Sequence, residues 1–349
     1  MAQELWIERS QLAAISVHTR ALPALAADQV LLEIERLALT ANNATYALLG
    51  EKFHYWRQFP AGPLHGILPA WGFAKVLASE HPEVPVGEYC YGFLPLASHW
   101  VMQPGQVSAT GWQDASAHRA ALPAVYNRYA TRLPAPAQWD QFAVLQPLFA
   151  TAWLLAQELI GQFPNDTQLC FTSASSRTAL ATAWLLRGAG FQMHALTSES
   201  RTDWLRAHGL FASVSAYGDL QALSRQASVI LDFAGNSALL AALTAHFDAQ
   251  LRATLLIGAT HSAGPAQAQA RDPRSQVFFA PSLYQRYQAQ LGGAELAHRI
   301  QIEREAYLAA DAGSLAIQAV LGSDAIASAY QRLLRGELGS GAALMARFR

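Results

Sequence analysis

The chain has 349 residues, of which 52% are hydrophobic and only 14% charged, with 24 basic side chains against 25 acidic ones. A typical globular sequence is about 25% charged. Apolar burial can therefore offset chain entropy, which excludes intrinsic disorder, and the balanced charge gives no footprint for nucleic acid or an anionic membrane surface. Length suggests about two domains. Cys90 and Cys170 alone supply neither a four-cysteine zinc lobe nor a disulfide framework, which fits a reducing, cytoplasmic setting.

In chain order, Met1–Ser10 carries charges where a signal peptide needs an apolar run, so no targeting segment is expected. Through about residue 130 the chain reads as short strands and loops. Val30–Arg36 alternates apolar and polar residues as a half-buried strand does. Phe73–Leu77 and Tyr89–Phe93 are apolar runs bounded by Pro and Gly, with Pro82, Pro85, Gly87, Pro95, Pro104 and Gly105 as punctuation. Leu133–Pro136 reads as a connector into a long apolar helix. Its stretch Phe142–Ile160 is interrupted by Gln146, Pro147, Gln157 and Glu158, whereas a membrane span needs about 20 mostly apolar residues. A buried core helix is predicted there.

From Thr167 strands alternate with helices. Gln168–Thr172 is a strand, Arg177–Arg187 a helix stopped by Gly188 and Gly190, Phe191–Leu196 a strand, and Arg201–His208 a helix. Ser213–Ala216, Ser228–Phe233, Arg252–Ile257 and Gln276–Ala280 continue the strands, with a helix ending near Phe247. Such alternation predicts right-handed crossovers, a doubly wound parallel sheet and a binding crevice at the strands' carboxyl ends. Ser314–Arg349 reads as helix and then strand, folding back onto the first domain.

The loop Ser173-Ala-Ser-Ser-Arg-Thr-Ala179 stands between a strand and a helix. First-turn N–H groups attract phosphate, and dinucleotide folds use glycines there for close approach. This loop has none. Ser173, Ser175, Ser176 and Thr178 offer hydroxyls, and Arg177 offers a guanidinium that suits phosphate; a plain helix cap explains the serines equally. About 20 positions on, no acid ends the second strand to grip a ribose. Ser198 and Arg201 follow instead, which suits a 2′-phosphate and favours NADPH, although Glu199 lies between them.

Leu169–Leu180 resembles the nucleotide loop of the medium-chain dehydrogenase/reductase superfamily, in its zinc-independent quinone-oxidoreductase branch. Further matches follow in order: Leu39–Tyr46 resembles the active-site turn, Pro147–Thr151 the entry to the cofactor domain, Leu231–Gly235 a cofactor turn, Leu256–Gly258 the nicotinamide-facing strand end, and Asp324–Tyr330 with Gly336 and Gly339 the closing helix and strand. The nearest likeness is to a divergent branch of unknown function that also has a serine-rich loop. The resemblance implies a GroES-like β-rich domain over 1–135, joined by 310–349, and a Rossmann NADP-binding domain over 136–309. It implies cofactor contacts at Thr151, Tyr217, Asp232, Gly235, Ile257, Gly258, Phe278 and Phe279 besides the loop residues, and catalytic groups at Tyr46, Asn43 and Asn42. Turn formation by the two asparagines and barrel packing by Tyr46 are the alternatives. The cluster Lys52–Arg57 with Phe59, His65 and Trp71 resembles the variable loop of the substrate cleft. Pro69–Ala74 lacks the catalytic-zinc pattern, so no metal is expected.

No nucleophile elbow and no P-loop occurs. The expected function is a cytoplasmic, NADPH-dependent, zinc-independent reductase of a carbonyl, quinone or enone, a homodimer acting on a small molecule. A catalytically inactive Rossmann ligand-binding or sensor protein is the alternative, and a CoA ester at the Ser/Arg loop a third possibility.

Overall fold

The computed structural model describes residues 1–257, 272–310, 316–338 and 343–349. It divides into two compact units, Met1–Pro147 with Leu315–Arg349, and Leu148–Ser314. The first unit runs β1 (Ala2–Glu8), β2 (Ile15–Arg20), β3 (Val30–Leu39), α1 (Ala41–Leu48), β4 (His65–Ile67), β5 (Pro69–Ser79), β6 (Tyr89–Pro95), β7 (His99–Met102), β8 (Pro104–Ser108), β9 (Gly111–Asp114), α2 (Ala124–Asn127) and β10 (Arg128–Ala130), then enters α3 (Trp139–Gln162). The second unit continues from α3 through β11 (Gln168–Thr172), α4 (Arg177–Leu186), β12 (Gln192–Thr197), α5 (Thr202–Ala207), β13 (Ser213–Ala216), β14 (Ser228–Asp232), α6 (Ser237–Phe247), β15 (Leu251–Leu256), β16 (Ser275–Val277), α7 (Ala280–Leu291) and α8 (Gly293–Ala309). The chain then returns to the first unit as β17 (Ile317–Leu321), α9 (Ser323–Leu334) and β18 (Ala343–Arg347).

Among the described residues of the first unit, β17-β18-β3-β5-β6-β10-β9-β8 form one sheet with β7 paired to β3, and β2-β1-β4 a smaller one. The pairing of β18 with β3 is antiparallel, Met345 opposite Ala38. The β-rich expectation holds, and β3, β5 and β6 cover the three strands read from sequence. In the tail, the order differs. A half-exposed strand, β17, precedes the helix, because an edge strand of mixed exposure leaves no clean alternation.

The second unit holds a six-stranded parallel sheet in the order β13-β12-β11-β14-β15-β16. All five residues of β11 and all five of β14 are buried, as central strands covered on both faces require. Helices α7 and α8, which the sequence reading did not anticipate, close one side. Of the 17 residues of α8 only Leu296, Ile300, Arg304 and Tyr307 are buried, too thin a stripe to stand out. The stretch Pro136–Gln162 is the one helix among the described residues that is long and apolar enough to cross a membrane; 61% of its apolar window is buried inside the protein. Phe149, Ala152, Leu155 and Leu159 all lie in the core, as a core helix should place them.

Candidate functional site

Counted in chain order, the parallel sheet reads 3-2-1-4-5-6, with its reversal between β11 and β14. At that point Thr172 Oγ1 donates to Asp232 Oδ1 at 2.7 Å and accepts from the Phe233 N–H at 3.1 Å. Asp232 also accepts from the N–H groups of Ala234 (3.1 Å) and Gly235 (3.2 Å), and so fixes the turn after β14. Asp232 is 1% exposed. Its carboxylate ties the end of β11 to the turn after β14.

Beside it lies the serine loop. Ser173 takes a left-handed φ of 47°, a conformation usually left to glycine. Its carbonyl accepts from the Ser176 N–H at 2.8 Å, and the Ala174 N–H reaches across to the Leu196 carbonyl at 3.1 Å. Ser176 caps α4, accepting from the Ala179 N–H at 3.4 Å. Ser175 is buried and accepts from Thr197 Oγ1 at 3.3 Å. Thr178 is half-buried, and its carbonyl takes the Thr182 hydroxyl at 2.7 Å. Tyr217, after β13, hydrogen-bonds through its hydroxyl with both the side chain and the backbone of Ser173. Burial raises that phenol above its usual value, and the two Ser173 bonds oppose the rise.

Arg177 turns elsewhere. It shares the α4 face of Ala181 and Trp184, which pack with Leu296, Ile300 and Tyr307 of α8. Burial pulls its guanidinium down to about 10, against an opposing pull from Tyr307. Ser198 is exposed, and Arg201 is half-exposed with its guanidinium 5.6 Å from the Trp204 ring. Along the same edge, the Ile257 N–H donates to the Asp232 carbonyl at 2.8 Å and the Phe278 N–H to the Leu256 carbonyl at 3.0 Å. Phe279 stands at the start of α7, and Thr151 is half-buried on α3. Gly258 and Gly339 lie outside the described residues. The strand ends thus gather Ser173, Ser175, Ser176, Tyr217, Asp232, Gly235 and Ile257.

In the first unit the active-site turn is a capped helix. Thr40 caps α1, and Asn43 closes the box: its Oδ1 accepts from the Thr40 N–H at 2.8 Å, while its Nδ2 donates to the Pro69 carbonyl at 3.0 Å. Asn42 stays half-exposed. Tyr46, one turn on from Asn42, is 8% exposed and accepts from Trp71 Nε1 at 3.3 Å and from the Asn42 side chain. Its ring lies 4.7 Å from Tyr55 and edge-on to Phe93 at 5.3 Å. Tyr55 and Tyr126 share a hydrogen bond of 3.0 Å between their hydroxyls. Burial raises all three phenols, those of Tyr46 and Tyr126 well above the usual range. Of the aromatic cluster read from sequence, Tyr55 and Trp71 reach Tyr46, whereas Phe59 is wholly buried and His65 sits by Trp6 at 5.9 Å.

Sequence reasoning missed Thr172, Thr197 and Tyr126. A hydroxyl as the last residue of a buried strand was the available signal for the first two. Tyr126 had none, being 71 positions from its partner. Among the described residues no group of three or more His, Cys, Asp and Glu converges as metal ligands. Burial pushes the Cys90 and Cys170 thiols up to about 12, which leaves both inert as nucleophiles.

A family model described as "Protein of unknown function (DUF2855)" matches residues 37–339. The chain belongs to the DUF2855 family. No curated protein matches it. Among solved structures, this DUF2855 chain is similar over 100% of its length, and over 99% of the other chain, to CurA from Vibrio vulnificus in complex with NADPH, with 13% identity and a TM-score of 0.69. The CurK enoyl reductase matches with 16% identity, 99% of both chains covered and a TM-score of 0.61. A putative NADPH:quinone reductase from Bacillus thuringiensis matches with 13% identity, 99% and 98% coverage and a TM-score of 0.62. The fold is therefore that of the medium-chain dehydrogenase/reductases, a GroES-like β-rich domain with a Rossmann domain. The fold implied by the resemblance holds, as does the placement in a divergent family of unknown function.

Proposed function

We propose that this DUF2855 chain is an NADPH-dependent, zinc-independent reductase of a carbonyl, quinone or enone. One observation carries the reading: Ser173 keeps the left-handed turn at the sheet's reversal point, beside the capped start of α4, without any glycine. The residues fit a dinucleotide. Ser173, Ser175, Ser176 and Thr178 would receive the pyrophosphate at the helix start. The Arg177 guanidinium is buried and feels Tyr307, so the serines rather than Arg177 would make the first contact. Ser198 and Arg201 would take the 2′-phosphate, and Tyr217, Asp232, Gly235, Ile257, Phe278, Phe279 and Thr151 would line the rest. The NADPH complex of CurA, on the same fold, supports the assignment. When bound, NADPH supplies a hydride. Tyr46 would polarise the acceptor's oxygen, with Asn42 bonded to the phenol and Asn43 holding their helix in place.

The Tyr217 hydroxyl engages the Ser173 backbone that a pyrophosphate would use. That contact favours a second reading, a ligand-binding or sensor protein without hydride transfer. NADPH fluorescence titration tests the first reading: saturable binding supports it, and no binding of NADPH or NADH at millimolar concentration discards it. Binding without turnover across quinones, enones and aldehydes selects the second. The reductase reading extends to a cytoplasmic homodimer acting on a small molecule; a monomeric mass in light scattering at micromolar protein counts against the dimer.

A further inference from the structure

We infer that Trp71 and Asn42 are positioning residues that make the Tyr46 hydroxyl a one-way hydrogen-bond donor to the oxygen of the substrate's carbonyl. The inference rests on the reductase reading and deepens it, because it specifies an acceptor that carries a carbonyl oxygen.

A phenol oxygen has two lone pairs and one proton. At Tyr46 both lone pairs are engaged, by the Trp71 indole N–H at 3.3 Å and by the Asn42 side chain. Only the proton is left to give. The neighbouring phenols bond to each other, Tyr55 to Tyr126 at 3.0 Å, rather than to Tyr46. The framework is stiff. Asn42 and Tyr46 stand four residues apart on one face of α1, and Asn43 ties that helix to β5 through the Pro69 carbonyl, two residues before Trp71. The Trp71 ring stacks on Tyr91 at 5.7 Å. Trp71 and Asn42 are only half-buried, so a ligand would approach the buried hydroxyl from their side of the cluster.

Hydride addition to the carbonyl carbon, or to the β-carbon of an enone, forms a C–H bond with the hydride's electron pair and moves the π pair onto oxygen. Tyr46 stabilises that oxyanion by donation. Two donors on its own oxygen polarise the O–H and strengthen the bond it gives. Burial keeps the phenol neutral before the reaction, so Tyr46 meets the carbonyl as a donor; an alkoxide, more basic than a phenolate, takes the Tyr46 proton and water restores it, whereas an enolate is protonated by water.

The test uses the whole protein with saturating NADP+ and 4-nitrophenolate as a coloured oxyanion probe. Wild type should bind the probe as the phenolate and shift its ionisation to lower pH. Trp71→Phe and Asn42→Ala should each weaken binding by about fivefold, the worth of one neutral hydrogen bond, with the ionisation shift reduced. Tyr46→Phe should abolish both effects. On an enone, Trp71→Phe should lower kcat with KM and NADPH affinity unchanged. Asn42→Ala alters a half-exposed side chain and decides the matter if Trp71→Phe folds poorly. Wild-type failure to bind the phenolate overturns the inference, as does unchanged probe binding in both variants, even where NADPH binds normally. If no variant binds NADPH, the reductase reading falls, and phenolate binding without cofactor still decides the role of Tyr46.

Discussion

Thr172→Val tests the bridge at the sheet's reversal point. Valine has nearly the shape of threonine, so the change leaves no cavity and removes only the hydroxyl. Two bonds disappear together: the donation to Asp232 at 2.7 Å and the acceptance from the Phe233 N–H at 3.1 Å. A hydrogen bond to a charged partner contributes about 1.5–3 kcal/mol, and a buried N–H left unsatisfied costs about 1–3 kcal/mol. The expected destabilisation is about 3–5 kcal/mol, since the two terms share one site and do not add fully. Urea unfolding with an unchanged m-value measures it, and amide exchange at Phe233, Ala234 and Gly235 localises it. Thr172→Ser keeps the hydroxyl and should stay within about 1 kcal/mol of wild type. A valine variant within about 0.5 kcal/mol of wild type, or a serine variant that behaves like valine, refutes the bridge. NADPH affinity should fall with valine, because the Asp232 turn and the serine loop lose their common anchor.

The loop and the cap give further expectations. Ser173→Gly relieves a left-handed φ but gives up the side-chain bond to Tyr217, so it should stay within about 1 kcal/mol of wild type, whereas Ser173→Val should destabilise further and lose NADPH affinity; equal behaviour in thermal melts and titrations refutes the conformational argument. Asn43→Ala should cost about 2 kcal/mol through its two buried bonds, while Asn42→Ala stays within about 0.5 kcal/mol; equal melting temperatures would reject that division of roles. His99 and His194 are buried, and burial lowers both below 6.5, with Glu33 partly opposing at His99. The unfolded chain therefore binds protons near pH 6.5 that the folded chain does not. Stability should be full above that pH and fall below it, by up to about 1.4 kcal/mol per pH unit for each histidine. His194→Gln should remove one share of the slope, and a flat wild-type profile between pH 7.5 and 5.5 refutes it.

The parallel sheet was legible because each strand is a short apolar run with its own stop signal, and β11 and β14 are buried throughout. The edges were not. In β16 and β17 no residue is buried, and α8 buries too few residues to announce itself. The direction of Arg177 was in the sequence after all. Positions 177, 181 and 184 share one face of a helix, and Ala181 and Trp184 mark that face as apolar, so a guanidinium there enters the helix layer. What joins Trp71 to Tyr46, or Tyr55 to Tyr126, is tertiary; no spacing announces it.

Glycines at a dinucleotide loop serve three ends: the tight turn, the close approach of the pyrophosphate, and the packing of helix on strand. Here the three are met separately. Ser173 makes the turn at the cost of a left-handed serine. Ala179, wholly buried, packs helix on sheet with a single methyl group. Only the approach is altered, since Ser176 places a hydroxyl over the first-turn N–H groups and already accepts from Ala179. A phosphate arriving there must displace that bond or be received by the hydroxyl itself. Serines in place of glycines therefore alter how an anion would be held there, from bare backbone to serine side chains.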